Sequence, residues 1–387
     1  MDFELSEELE LFRDSIHKWV DQECPKDWCR ELERREHQYP QELWEKLAQQ
    51  GFHGIGIAEE YDGLGGDITF QATFMREFAR SAAGLSWIWG ITSFSGAKSI
   101  GFYGTEEQKR RFLPKMAAGE LRTAIAFTEP GGGTDVLGGM KTSAEKTHGG
   151  WVINGEKTWS TTADTSDYLL LLARSDKNVQ KRTDGVSLFF VPRESEGVRT
   201  TPLPKLGMRA LSSCTVNLDD VFVPDDLLLG EAGKAWKQST KTLNNERIMM
   251  SALCLGILDG VLEDALDYMK QRRAFGKFIG EFQTLQGYVA NIAIWRKQTE
   301  LMLYNAAWLQ SEGKPCALEA AMTKTTASEY ACKAADLGMS ILGGMGYSAE
   351  TDMQRYWRDA RLLKIGPVSN EMAQNMIAEG LGLPRSF

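Results

Sequence analysis

The densest chemical signal in the sequence is Thr128-Glu-Pro-Gly-Gly-Gly-Thr134-Asp135, which follows the apolar run Ile125-Ala-Phe127. A strand end opening into three glycines offers several free backbone N–H groups in one place. Such a loop lets a phosphate or a heteroaromatic ring approach closely. Taken alone, the triplet also suits an ordinary turn between strands. The second signal is Asn154-Gly-Glu-Lys-Thr-Trp159-Ser160-Thr161. Asn-Gly predicts a hairpin turn, after which Trp159 and Thr161 share one face of a strand. An indole beside a hydroxyl suits an amphipathic ring such as a flavin, and equally suits core packing.

Acid–base and metal-binding side chains are scarce. The four histidines (His17, His37, His53, His148) all precede residue 149, and the six cysteines contain no CxxC pair. No metal site or disulfide framework is expected, and the thiols read as buried residues of a reducing compartment. Hard chemistry in this chain therefore points to a borrowed organic cofactor. There is no strand-GxGxxG-helix and no GxxxxGK[ST], which excludes Rossmann and P-loop nucleotide sites.

Three blocks must position these residues. Residues 1–121 read as helical: Ser6 opens a SEEL capping pattern, and Leu9, Phe12, Ile16 and Val20 follow at helical spacing. Pro40 starts a helix that stops at Gly51, Phe70–Ala83 and Trp87–Phe102 continue the pattern, and Thr105 caps a helix reaching Met116. Residues 122–230 carry short β-rich runs at Thr123–Thr128, Trp151–Ile153, Tyr168–Leu172, Val186–Val191 and Thr215–Leu218. Turn signals separate them, so a small antiparallel sandwich or barrel is expected. Residues 231–387 return to helix. No proline lies between Pro224 and Pro315, and Gln283–Gln310 and Ala317–Leu342 have bundle-like lengths. The expected class is α+β, mostly α: a helical domain, a β domain and a C-terminal four-helix bundle.

With 42% apolar and 25% charged residues the chain has a globular composition, and 44 basic against 53 acidic side chains leave a net charge of −9. A broad nucleic-acid surface is not expected. No apolar run reaches the roughly 18 residues of a membrane span. The acidic start MDFELSEELELF does not suit a signal peptide, and LPRSF is not a peroxisomal address. The expectation is a cytoplasmic protein.

The two chemical segments together resemble the flavin-binding region of the acyl-CoA dehydrogenase family, where a TEPGAGSD loop and a W-I-T strand cradle the FAD isoalloxazine. Three further stretches match in family order: Arg272-Arg-Ala-Phe-Gly-Lys277 with Glu281-Phe-Gln283, Ile341-Leu-Gly-Gly-Met-Gly-Tyr347, and Arg358-Asp-Ala-Arg361. The resemblance covers nearly the whole chain from about Leu5. It implies FAD held by Phe127, Thr128, Gly133, Thr134, Trp159, Ser160 and Thr161, with Leu342, Gly343, Gly344, Ser369 and Glu371 adding contacts. It implies also that Arg272, Phe275 and Gln283 reach the FAD of a neighbouring subunit in a homotetramer. Ala274 departs from the Thr or Gln common at its place.

The family removes the α-proton of an acyl-CoA thioester with a Glu, usually in a Y-E-G-T-S segment near the C-terminus. Counting from Arg358, the segment here is Ile365-Gly-Pro-Val-Ser-Asn-Glu371, so Pro367 stands at the base position. Proline takes no proton and has no N–H with which to polarise the thioester carbonyl, as the backbone there does in the family. Isovaleryl-CoA and long-chain members place the Glu on an earlier helix directly before an Arg. Asn244-Asn-Glu246-Arg247 matches that arrangement and makes Glu246 the candidate base, with Glu371 as its competitor. Asn244, Arg247, Thr134, Trp87 and Gly366 are candidate substrate contacts. Gly366 replaces a common Tyr and enlarges the space near Cα and Cβ, while Trp87 and Trp89 either shorten the acyl pocket or are plain core, as Trp on a helix more often is. The implied activity is FAD-dependent dehydrogenation of a short, branched or cyclic acyl-CoA, with electrons passed to an electron-transfer flavoprotein. The alternatives are an enoyl-CoA reductase of the crotonobetainyl-CoA type, a carrier-protein thioester as substrate, a flavin monooxygenase, and a non-catalytic flavin- or acyl-CoA-binding subunit.

Overall fold

The computed structural model describes residues 4–35, 37–239 and 243–385. Six helices form the first unit: α1 (Glu7–Glu23), α2 (Lys26–Arg34), α3 (Gln41–Gln49), α4 (Ile68–Trp89), α5 (Ala97–Tyr103) and α6 (Glu106–Ala117). Their starts follow from capping chemistry. The Ser6 hydroxyl accepts from Leu9 N, the Asp67 carboxylate accepts from Thr69 and Phe70 N, and Thr105 with Gln108 closes a full capping box. The helical run predicted from Phe70 onward is bent: Ala82 has extended backbone angles (φ −154°, ψ 103°), and Gly90–Gly96 forms a π-type turn before α5.

The strands are β1 (Thr123–Ala126), β2 (Ser143–Thr147), β3 (Gly150–Thr161), β4 (Tyr168–Arg174), β5 (Val186–Pro192), β6 (Val198–Pro202), β7 (Ser213–Pro224) and β8 (Leu228–Leu229). They make one sheet in the order β6-β7-β3-β2-β4-β5-β8, with β1 beside β4. The sheet is largely antiparallel, but β1 and β2 both meet β4 in parallel register. The chain leaves β1 through a long loop and not a hairpin, and such a crossover permits parallel pairing. The turn predicted at Asn154-Gly155 lies inside β3 instead. The hairpin between β2 and β3 turns at Gly149 (φ 74°), whereas Gly155 marks a register shift against β7. Asn154 is held there by two hydrogen bonds with Asp220, and a Cβ on Gly155 would lie 2.5 Å from Thr142 Oγ1. The Asn-Gly pair therefore serves a bulge.

The last unit holds α7 (Ala235–Ser239), α8 (Leu243–Gln271), α9 (Gln283–Ser311), α10 (Ala317–Leu342), α11 (Gly344–Tyr347), α12 (Met353–Leu363) and α13 (Asn370–Gly380). A hairpin of β9 (Arg273–Ala274) and β10 (Lys277–Phe278) joins α8 to α9. Helix α8 is buried almost all round between Ile248 and Val261, packed by α4, α9, α10 and α12. Gly256 and Gly260 allow α4 to approach: a Cβ at these positions would lie 2.3 Å from the Arg76 carbonyl and 2.5 Å from the Arg80 carbonyl.

Buried charges lock the same interface. Arg76 donates to Asp259 (2.7 Å) and Glu300 (3.1 Å), Arg296 donates to Asp259 (2.7 Å), and Arg80 meets Glu263 (3.0 Å) and Asp21. His17 on α1 joins this network through a 2.8 Å bond to Glu77 on α4. That bond, with burial opposing it, raises the imidazole above its ordinary value of 6.5. The His17 contribution is thus complete below about pH 6.5 and is lost as pH rises through the higher folded value. The urea midpoint of the wild type is expected to fall across this window more steeply than that of His17→Gln. Parallel curves at pH 6 and pH 8 would show that His17 carries no such linkage.

Candidate active site

Two residue clusters carry the site. The first lies where β1 ends. Lys157 on β3 is fully buried, and its Nζ donates to Glu129 (2.8 Å) and to the Phe127 carbonyl (3.2 Å). Glu129 accepts further from Lys141 N and Thr142 N. Burial alone would raise the Glu129 carboxyl, yet Lys157 and the two amides hold it below its usual value. The pair pins both ends of the 127–142 loop to β3, and Thr158 N bonds the Thr128 carbonyl beside it. Thr128 therefore sits next to Trp159.

Gly131 and Gly133 face open space, so this loop presents backbone where a side chain would intrude. Thr134 is exposed and Phe127 half-buried. Trp159 is 58% exposed and adopts a left-handed backbone (φ 59°), Thr161 is half-buried on the same side, and Ser160 points inward. Ser160 Oγ is buried with no hydrogen-bond partner among the described residues. Behind Thr161 runs a polar chain: Thr161 Oγ1 lies 3.5 Å from Ser213 Oγ, which accepts from Lys205 Nζ at 3.1 Å. Burial brings the Lys205 ammonium down to about 8.

The second cluster occupies one end of the bundle. Glu246, in the first turn of α8, makes no hydrogen bond or ion pair with any described residue. Burial pushes its carboxyl up to about 7, although Arg247 opposes the shift. Arg247 is 3% exposed, donates to Asn244 Oδ1 (2.9 Å) and Met376 Sδ (3.3 Å), and leaves its Nε unpartnered. The competing Glu371 is exposed, and its own amide with the Ser369 hydroxyl holds it below the usual carboxylate value. The two carboxyls are thus shifted in opposite directions, Glu246 up and Glu371 down. A Cβ on Gly366 would meet nothing within 4 Å, whereas Trp87 is half-buried. Trp89 is fully buried: its indole donates to the Phe52 carbonyl and packs on Phe74, in keeping with core packing.

Arg272, Phe275 and Gln283 lie at the opposite end of α8. Twenty-six residues of helix separate Glu246 from Arg272, roughly 39 Å. The Phe275 ring is 94% exposed on the hairpin turn, and Arg272 and Gln283 are exposed beside it. Gly343 and Gly344 are exposed at the C-terminal end of α10, while Leu342 is buried. Helix α10 runs alongside α8 with Gly338 next to Val261, so these residues share the far end. One copy of the chain thus cannot bring both groups to a single ligand.

Family models for the N-terminal, middle and C-terminal domains of acyl-CoA dehydrogenase match residues 6–120, 124–221 and 233–382. The chain belongs to the acyl-CoA dehydrogenase family. It is 33% identical over 387 residues to the probable acyl-CoA dehydrogenase YngJ of Bacillus subtilis (strain 168), covering 98% of this chain and 100% of that relative. It is also 33% identical to CarC, a subunit of the caffeyl-CoA reductase-Etf complex of Acetobacterium woodii, over 98% and 99% of the two chains. Among solved structures, a glutaryl-CoA dehydrogenase in complex with glutaryl-CoA superposes with a TM-score of 0.95 at 31% identity, covering 100% and 98%. This acyl-CoA dehydrogenase is an oxidoreductase acting on acyl-CoA, with FAD as the family cofactor. Its residues fit that group: an open glycine loop and an exposed indole meet a hydroxyl-lined strand, as a flavin ring requires. Among the described residues no His, Cys, Asp or Glu cluster could hold a metal, and no helix is long and apolar enough to cross a membrane.

Sequence reasoning passed over the Lys157–Glu129 pair and the buried Lys324 on α10. Lys324 is the only charge between Glu319 and Glu329 in a run of small residues, and that isolation was the available signal. Breaking a buried pair by removing one partner costs about 3–5 kcal/mol. Lys157→Met is therefore expected to lower stability by that order and to weaken FAD retention. A chemical-denaturation curve and flavin release on gel filtration check it; unchanged values in both would show the pair is dispensable.

Proposed function

We propose that this chain dehydrogenates a short, branched or cyclic acyl-CoA at Cα–Cβ, with Glu246 as the base. The carrying observation is a Glu246 carboxyl in the first turn of α8, beside Arg247 and without a hydrogen-bond or ion-pair partner among the described residues; burial pushes it up to about 7. When bound, FAD supplies a two-electron hydride acceptor. Glu246 takes the α-proton onto a carboxylate oxygen, the β-carbon gives up hydride, and the electron pair of the broken Cα–H bond forms the new double bond. Arg247 stays beside the carboxylate and offsets its negative charge. Phe127, Thr128, Gly133, Thr134, Trp159 and Thr161 are assigned to the flavin ring, with Ser160 buried behind them. Asn244 and Gly366 line the acyl side.

A surface pocket of about 490 Å³ supports CoA as the carrier. Lys141, Arg174, Lys177 and Arg182 line it, which is a charge pattern suited to phosphate groups. Arg182 pairs with Asp135 of the glycine loop at 3.6 Å, so the pocket adjoins the proposed flavin site. The separation of the two ends of α8 supports assembly: Arg272, Phe275 and Gln283 reach the FAD of a second copy, in a homotetramer. Ile294, Leu301 and Trp308 repeat every seven residues along α9 as exposed apolar side chains, as a helical interface requires. The likeness to a subunit of a reductase-Etf complex supports an electron-transfer flavoprotein as redox partner.

The direction of the reaction has a pH signature. As base, Glu246 must be ionised, so flavin bleaching by acyl-CoA rises with pH through about 7 and then levels. In the reductase direction the protonated carboxyl delivers the α-proton, and the rate falls across the same range. Glu246→Gln is expected to slow anaerobic bleaching by about 10²–10⁴-fold. A variant that bleaches like the wild type would remove Glu246 from the chemistry. Gly366→Tyr is expected to reduce turnover of isovaleryl-CoA far more than that of butyryl-CoA, because it fills the space opened at Gly366. Equal losses on both thioesters would separate that space from the acyl group.

A further inference from the structure

The strongest feature left unused is Lys324, a lysine only 1% exposed in the middle of the bundle. Its Nζ donates to the Val368 carbonyl at 2.5 Å and to Asn370 Oδ1 at 2.8 Å. Asn370 Oδ1 also accepts from Ser328 at 3.0 Å, and Asn370 Nδ2 donates to Glu329 at 3.2 Å. Glu329 in turn pairs with Lys364 at 2.6 Å, just beyond α12. These bonds hold the connection from α12 to α13 onto α10. This connection contains Gly366 and Pro367, which has no N–H to donate.

The peptide linking Val368 and Ser369 is trans, since the Gly366–Pro367 bond is the only cis bond among the described residues. In a trans peptide the carbonyl and the N–H point in opposite directions. With the Val368 carbonyl drawn inward onto Lys324, the Ser369 N–H points away from Lys324, and Gly366, three residues earlier, faces open space. No described residue accepts from that N–H. Ser369 is the N-cap of α13 and uses its hydroxyl to accept from Met372 N, while Asn370 N bonds back to Lys364. A cation on the carbonyl oxygen strengthens the N–H of the same peptide as a donor, and the N-terminal end of α13 adds positive potential there.

The geometry points to the Ser369 N–H as the donor that polarises the substrate's thioester carbonyl, with Lys324 as the positioning residue that turns and charges its peptide. The assignment rests on the acyl-thioester reading above. It explains how a site with proline at residue 367 keeps an electrostatic grip on the carbonyl oxygen. The acid strength of the α-proton depends on that grip, since negative charge moves onto this oxygen as the proton leaves for Glu246.

The test uses FAD-loaded enzyme with crotonyl-CoA carrying carbon-13 at the carbonyl, read by isotope-edited infrared difference spectra. Bound to the wild type, the carbonyl band is expected below its position in water. It should stay there in Glu246→Gln, which stops proton transfer but leaves the donor. Ser369→Ala removes the helix cap and keeps the N–H, so the shift persists. Ser369→Pro removes both, and φ at this residue is −63°, which proline accepts. The shift should then be lost. Lys324→Met should lose most of the shift and lower kcat by about 10²-fold, with KM within about threefold, and Lys324→Arg should recover part of both. A shift that survives both Ser369→Pro and Lys324→Met overturns the assignment. Failure of any enoyl-CoA to bind the wild type sinks the thioester reading itself, a different result from binding with an unshifted band.

Discussion

The close seating of α4 on α8 is the contact on which the remaining geometry depends. Gly256 and Gly260 bring the two backbones together, and the Arg76–Asp259–Arg296–Glu300 network closes over them. Because neither glycine position has room for a side chain, α8 cannot slide or tilt without opening the core. Glu246 lies ten residues before Gly256, in the first turn of the same helix. Burial there raises the carboxyl, and Arg247, which opposes the shift, is itself engaged by Asn244 and Met376.

Two buried lysines and the half-buried Lys205 perform related work around the site. Lys157 anchors the glycine loop, Lys205 backs the Ser213–Thr161 hydroxyl pair, and Lys324 holds the segment around Pro367. Burial lowers all three ammonium groups, and each spends its hydrogens on carbonyl, hydroxyl, amide or carboxylate oxygens. In a chain with no histidine after residue 148, lysine has taken over the orienting duties. The ammonium suits this because three donors on one flexible stem can serve two backbone segments at once.

The helices were legible because their signals are local. The long elements α9 and α10 match the expected runs Gln283–Gln310 and Ala317–Leu342 almost residue for residue, and Ser6 and Thr105 cap as their spacing predicts. The polar strands β2 and β6 left no hydrophobic pattern to find, since each takes its place from a partner strand. Asn154-Gly155 misled because its partner, Asp220, comes from a strand 66 residues away. The site divides the same way. Glu246 was singled out by the likeness of its Glu-Arg pair to a family pattern, while the bond from Lys324 to Val368 exists only once α10 and the last connection meet, 44 residues apart.

The length of α8 has a consequence for how a flavoprotein of this kind is handled. With Phe275 and Arg272 carried roughly 39 Å from Glu246, the proposed assembly makes part of each cofactor site belong to a different polypeptide. Flavin retention then becomes a function of protein concentration, because diluting the copies apart removes cofactor contacts without altering any within a chain. Loss of colour on dilution would reflect a shift in association, and concentrating the sample with added cofactor would reverse it.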